Sequence, residues 1–226
     1  MTVAAEPRVD TAALWRLLSL GFGAPSEETV AEVEVLAEAL AELAEPAPEL
    51  LDVLVAIHST TVEQIATDHQ ALFGGTVRVP PYEGSYELGP IRQGRQMADI
   101  AGFYRAFGAE AHGPAAERPD HVGCELEFLA FLELRHLAAV GEGDDASAAL
   151  VDEIGTAFLR DHAGRWLPAF FASLWRAATQ APLYRALAAL GARAVAWELE
   201  RRGIECAPLP RRRDALAVEQ DSFECG

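Results

Sequence analysis

The sequence predicts an all-α protein, a multi-helix bundle. Apolar residues recur at spacings of three and four along most of the 226 residues. No second run of alternating apolar and polar residues exists to pair with the short extended piece at Val77 and Val79. Proline and glycine punctuate the periodic stretches instead. Hydrophobic residues make up 50% of the chain, which supplies a core and argues against extensive disorder.

The elements follow in order. Thr11 to Phe22 reads as a short helix burying Leu14, Trp15, Leu17 and Leu18, capped by Asp10 or Thr11 and ended by Gly21, Gly23 and Pro25. Ser26 caps a second helix, with Glu27 and Glu28 in its first turn, where carboxylates meet the positive end of the helix dipole. Its stripe is Val30, Val33, Leu36, Ala37, Leu40 and Leu43; Pro46 and Pro48 break it. A third helix is expected from about Glu49 to Ala71, on Leu50, Leu51, Leu54, Ile57, Thr61, Ile65 and Leu72, with Gly74-Gly75 as its stop.

Thr76 to Pro90 is irregular, because Pro80-Pro81 cannot sit inside a helix. Ile91 to Phe107 is the fourth helix, with Met97, Ile100, Phe103, Tyr104 and Phe107 inward and Gly108 as its end. After a linker, Asp120 is placed to cap a long helix from about His121 to Val140. Phe128, Leu129, Phe131, Leu132, Leu134 and Leu137 make that helix apolar nearly all round, so it should be central. Helices over Ser147–His162, Gly164–Thr179 and Pro182–Arg202 follow, with Pro168 tolerated as a first-turn residue. The organisation predicted is an N-terminal helical lobe over 1–108, a hinge over 109–120, a C-terminal lobe over 121–202 and a flexible tail over 203–226, the whole forming one compact domain.

Charge and cysteine content narrow the function classes. Lys+Arg total 18 against 35 Asp+Glu, a formal charge of -17, and no lysine is present. That balance disfavours nucleic acid or an anionic membrane as main partner. It suits a cationic partner and equally suits a merely solubilising surface. Cys124, Cys206 and Cys225 have no zinc spacing, no secretory signal opens the chain, and no apolar run is long enough to span a bilayer. A cytoplasmic, thiol-reduced protein without stable membrane insertion is expected.

The constellations leave two functional classes open. Glu133 and His136 form an ExxH pair on the long helix, a pattern that ligates iron or manganese in helical bundles when further ligands join it. Asp120-His121 reads either as an acid/base pair or as a cap and a first-turn residue. Neither a nucleophile elbow nor a phosphate loop is present, so no catalytic residue is assigned. Leu72, Phe73, Tyr82 and Tyr86 cluster in sequence with Glu83, Glu87, Asp120, Glu125 and Glu127. Apolar surface rimmed by carboxylates suits an arginine-bearing apolar peptide; core packing is the competing reading.

Several segments together carry a resemblance. They are Leu72-Phe73-Gly74, Pro80-Pro81-Tyr82-Glu83-Gly84-Ser85-Tyr86, Gln96 with Phe103-Tyr104 and Gly108, Pro119-Asp120-His121, and Glu125-Leu126-Glu127-Phe128-Leu129. Phe158-Leu159-Arg160-Asp161-His162 with Trp166-Leu167-Pro168 and Phe170 extends the series. In this order they resemble the TorD/DmsD/NarJ family of redox-enzyme maturation chaperones. The resemblance implies an all-α, cytoplasmic, non-enzymatic chaperone without cofactor or bound metal. Its partner would be the catalytic subunit of a molybdenum-cofactor, iron–sulfur oxidoreductase, often met through a twin-arginine signal peptide. The peptide-binding residues so implied are Leu72, Phe73, Tyr82, Glu83, Ser85, Tyr86, Pro119, Asp120, His121, Glu125 and Glu127. The alternative is a helical-bundle metal enzyme using Glu133 and His136.

Overall fold

A computed structural model describes residues 6–43, 46–87, 90–108 and 117–209. Its elements are α1 Glu6–Gly21, α2 Glu27–Ala41, α3 Pro48–Ser59, α4 Val62–Phe73, α5 Pro90–Ala106, α6 Val122–Glu142, α7 Asp145–Phe158, α8 Gly164–Ala177 and α9 Pro182–Arg202. A 3₁₀ turn, Glu83–Ser85, precedes α5, and a π turn, Leu159–Ala163, joins α7 to α8. Among the described residues the single isolated β-bridge pairs Tyr82 with His121, so the fold is all-α as predicted.

α1 packs against α6 and α2, α3 lies on α9, and α8 lies on α9. One cluster runs from Trp15 and Leu17 in α1 through Leu126 and Leu129 in α6 to Trp166, Phe170 and Phe171 in α8. The stretches 1–108 and 121–202 are therefore joined by core packing as well as by the chain. Much of the predicted hinge, 109–116, and of the tail, 210–226, lies outside the described residues. Burial of each large apolar side chain here is worth about 1.5–3 kcal/mol. α8 and α9 approach so closely that a Cβ on Gly191 would stand 2.4 Å from the Phe171 ring.

The structure corrects the sequence reading at specific points. α1 begins at Glu6, so Asp10 and Thr11 lie inside it and cap nothing. The single helix expected over Glu49–Ala71 is two, because Thr60 is extended and Thr61 turns from stripe residue to N-cap, its hydroxyl accepting from the Gln64 N–H. The side chain that caps α6 is His121, whose Nδ1 accepts from the Gly123 N–H at 3.1 Å; Asp120 does another job. On α6, Leu134 is 56% exposed while Glu133 is 4% exposed, the reverse of what an apolar-all-round helix implies.

Pro168 sits inside α8 rather than in a first turn, because the π turn runs straight into that helix. Proline has no N–H to give the Gly164 carbonyl one turn back. The Cys206 thiol donates to that carbonyl instead, at 3.3 Å.

Candidate functional site

Two loops distant in sequence are stitched together in front of α6. The Glu83 N–H donates to the Asp120 carbonyl and the Val122 N–H to the Pro81 carbonyl, each at 2.9 Å. Proline dictates this geometry: Pro80-Pro81 hold the first loop extended, which leaves the Pro81 carbonyl open to the second loop. The Asp120 side chain, 1% exposed, locks the stitch. Its Oδ2 accepts from the Gly84 N–H at 3.1 Å, and Arg118 grips both carboxylate oxygens at 3.0 and 2.8 Å. A Cβ on Gly84 would lie 3.0 Å from Asp120 Oδ2, so the close approach suits glycine.

The outer side of the stitch carries Tyr82 and His121. Their rings meet edge to face at 5.3 Å, and the Arg118 guanidinium covers the Tyr82 ring at 4.5 Å. The Tyr82 hydroxyl donates to Glu117 at 3.1 Å. Burial lowers the His121 pKa, opposed by the Glu117 charge. The imidazole therefore stays neutral and keeps Nδ1 free to accept the cap hydrogen bond. From below, the Tyr104 hydroxyl donates to the Pro119 carbonyl at 2.8 Å; burial first, then nearby carboxylates, hold that phenol well above its ordinary pKa.

Beneath the stitch lies a chain of buried polar groups. The Trp166 indole N–H donates to Glu125 at 2.9 Å, and the Glu83 carboxyl lies beside that of Glu125, the Oε1 of each buried without a hydrogen-bond partner. Glu83 meets His162 Nδ1 at 3.3 Å, and His162 Nε2 meets Asp99 at 3.2 Å. Glu83 and Glu125 are each 0% exposed and His162 is 3% exposed, whereas the Asp99 side chain is 68% exposed. Burial, then the charge of Glu83, pushes the Glu125 pKa well above the carboxylate range, so Glu125 carries the proton of the pair. The chain thus runs from the core beside α8 to the surface of α5.

The predicted site residues divide by this geometry. Leu72, Glu83, Tyr86, Asp120 and Glu125 are buried. Tyr86 packs its ring against Trp166 at 5.3 Å, and the Leu72 carbonyl accepts from the Arg78 and Val79 N–H groups, each at 3.1 Å. Phe73, Tyr82, Ser85, Pro119 and His121 are half-buried, and Glu127 is exposed. Phe73 belongs to a ring cluster with His69, Phe170 and Tyr184. Glu127 receives Arg16 at 2.9 Å. Arg118, Tyr104, Asp99, His162 and Trp166 were missed as site residues. The Arg-Asp-His and Trp-Leu-Pro run on either side of the α7–α8 junction was the available signal, since a buried tryptophan N–H and imidazole both need partners.

Glu133 and His136 do not form a metal pair. Arg202 donates to Glu133 at 2.9 Å and also holds Glu198, with Arg201 at 3.8 Å from Glu133. A guanidinium thus stands where an ion would sit, and His136 Nδ1 meets the Ala148 carbonyl at 3.0 Å. Among the described residues no helix is long and apolar enough to cross a membrane.

Comparison with known proteins follows the same lines. A selenate reductase assembly chaperone protein of Thauera selenatis is 36% identical over 113 residues, 49% of this chain and 57% of that one. A chlorate reductase assembly chaperone protein of Ideonella dechloratans is 34% identical over 111 residues, 48% and 56%. The match therefore spans little more than half the length of either relative. A solved structure from Archaeoglobus fulgidus, assigned to the redox enzyme maturation proteins, overlays at a TM-score of 0.44 with 23% identity, covering 65% of this chain and 93% of that one. An overlay that loose carries no weight. The family described as nitrate reductase delta subunit matches residues 36–172, a span that contains both stitched loops, the buried carboxyl pair and the π turn. With more than half of its length inside that match, the chain belongs to the nitrate reductase delta subunit family.

Proposed function

We propose that this protein is an assembly chaperone: it binds the catalytic subunit of a molybdenum-cofactor oxidoreductase in the cytoplasm and holds it for assembly. The family membership, with two relatives named as reductase assembly chaperones, is the observation that carries the reading. The geometry supports it. The stitch presents Tyr82, His121, Ser85 and Pro119 on a frame fixed by backbone hydrogen bonds, and rigid aromatic anchors lower the entropic cost of binding.

Division of labour follows from burial. Leu72, Glu83, Tyr86, Asp120 and Glu125 support the face; Phe73, Tyr82, Ser85, Pro119, His121 and Glu127 are the members a client can touch. The charge of -17 favours encounter with a cationic client segment, and a twin-arginine signal peptide is such a segment. A client segment that is disordered when free orders on binding, so affinity should be moderate. The test is capture of the client subunit by wild type, Tyr82→Ala and His121→Ala chains of equal helicity. Weaker capture by both variants supports the surface; equal capture by all three removes it.

A further inference from the structure

We propose that Glu34 and Glu38 of α2, with His58 of α3, bind a divalent transition-metal ion of the zinc type and clip the two helices together. None of the three belongs to the client-binding face, and the proposal stands apart from the chaperone reading. Glu34 and Glu38 are one turn apart, so both carboxylates project from the same side of α2. α3 packs against α2 and brings His58, in its last turn, to that side. His58 Nε2 lies 2.8 Å from Glu34 Oε1. Among the described residues this is the set of three whose ligand atoms all come within 4.8 Å of one another.

Those spacings suit a single ion. An ion about 2.0–2.2 Å from each ligand atom sets tetrahedral neighbours roughly 3.4 Å apart. The spacings here, from 2.8 Å up to 4.8 Å at most, straddle that value. His58 is 56% exposed and Glu38 is exposed, so small rotations close the gap and the ion has a way in. Three protein ligands from two helices leave a fourth position for water.

Charge and donor type select the occupant. Two carboxylates a turn apart on one helix repel each other. Among the described residues no arginine pairs with either of them; Arg16, which reaches α2, is held by Glu32 and Glu127. A dication offsets that repulsion. The imidazole decides which dication: a nitrogen ligand suits zinc, copper or nickel, whereas magnesium and calcium prefer oxygen alone. Glu38 separates this arrangement from a simple His58–Glu34 ion pair, which makes no use of it. A metal ion needs all three.

The experiment titrates zinc sulfate calorimetrically into the full chain, freed of metal by chelation and carrying no polyhistidine tag, at about pH 7.5, where an ordinary imidazole is neutral. His58→Ala and Glu38→Gln chains are titrated alongside. Both positions are exposed, so both variants should keep their helicity, which circular dichroism checks. We expect one saturable site in the wild type, weakened at least about tenfold in each variant, since losing a ligand costs no less than losing one of its supporting partners. Zinc should raise the melting temperature of the wild type more than that of either variant. Magnesium chloride at the same concentration should give no saturable heat. Equal zinc uptake by wild type and His58→Ala places the ion on other donors and overturns the proposal. A Glu38→Gln chain that binds as wild type does also overturns it, and saturable magnesium binding overturns the assignment to a transition metal.

Discussion

Glu125 of α6 and Glu83 of the 3₁₀ turn bring two carboxyl groups together in the core, both 0% exposed and each with an Oε1 that no donor reaches, so a proton held by one of them is what reconciles the pair. Two carboxylates so placed cannot both ionise at low cost. The pair is fixed by Trp166 on one side and His162 on the other. It ties the first loop to α6 and α8.

The pH dependence of that tie has a definite sign. Folded Glu125 keeps a proton that the unfolded chain releases above the ordinary carboxylate range, because burial and the Glu83 charge raise its pKa. Its contribution is complete at acidic pH and is lost as pH rises toward the folded value. Glu125→Gln keeps a carbonyl for Trp166 and an N–H for Glu83. Denaturant melts of this variant across pH 5–9 should lack the alkaline decline of the wild type. Glu125→Ala should cost about 1–3 kcal/mol by leaving the buried Trp166 N–H unpaired. An alkaline decline as steep in Glu125→Gln as in the wild type contradicts the assignment.

His121 works in the opposite direction. Burial lowers its pKa, and its neutral Nδ1 accepts the Gly123 N–H that opens α6. This stability is present above the ordinary imidazole value and disappears as pH falls toward the folded value. His121→Ala should cost about 0.5–2 kcal/mol at pH 8, the range for a lost N-cap. It should cost less at pH 5. A cost independent of pH would show that the ring only packs.

Asp120 holds the stitch from the side chain outward. Asp120→Ala releases the Gly84 N–H and the Arg118 fork. The expected cost is about 1–3 kcal/mol, set by the buried donor, since Arg118 is half in solvent. Hydrogen exchange at the Glu83, Gly84 and Val122 amides should quicken before the rest of α6 responds. Uniform quickening throughout α6 would show that the loops are not a local unit.

Pro168 and Cys206 form a pair that a double-mutant cycle can resolve. Cys206→Ala removes the donor that serves the Gly164 carbonyl and should cost about 1 kcal/mol. In a Pro168→Ala background the restored backbone N–H takes over, and the same substitution should cost less. Additive effects, measured by urea unfolding, would mean the thiol is incidental.

How much of this was legible beforehand depended on range. The stripe Val33, Ala37 and Leu40 of α2, the stop at Gly108 and the Ser26 cap follow from local periodicity and capping chemistry, and the structure keeps them. The Thr60-Thr61 break did not show, because Thr61 fits an apolar stripe as well as a cap. The fate of the carboxylates was the main surprise. Glu83, Asp120 and Glu125 read as a rim for arginine, and the fold buries all three. Their partners, His162, Arg118 and Trp166, lie where only tertiary structure brings them. Glu133 likewise carried no mark of its ion pairs with α9.

The central claim is that this chain holds a molybdenum-cofactor reductase subunit during assembly. The most direct measurement is to recover the tagged chain from a lysate of its native host and quantify co-purified proteins by mass spectrometry against an untagged control. The account predicts that a molybdoenzyme catalytic subunit dominates the recovered partners and falls in the Tyr82→Ala chain. Recovery without any such subunit, under conditions where the reductase is expressed, would contradict it.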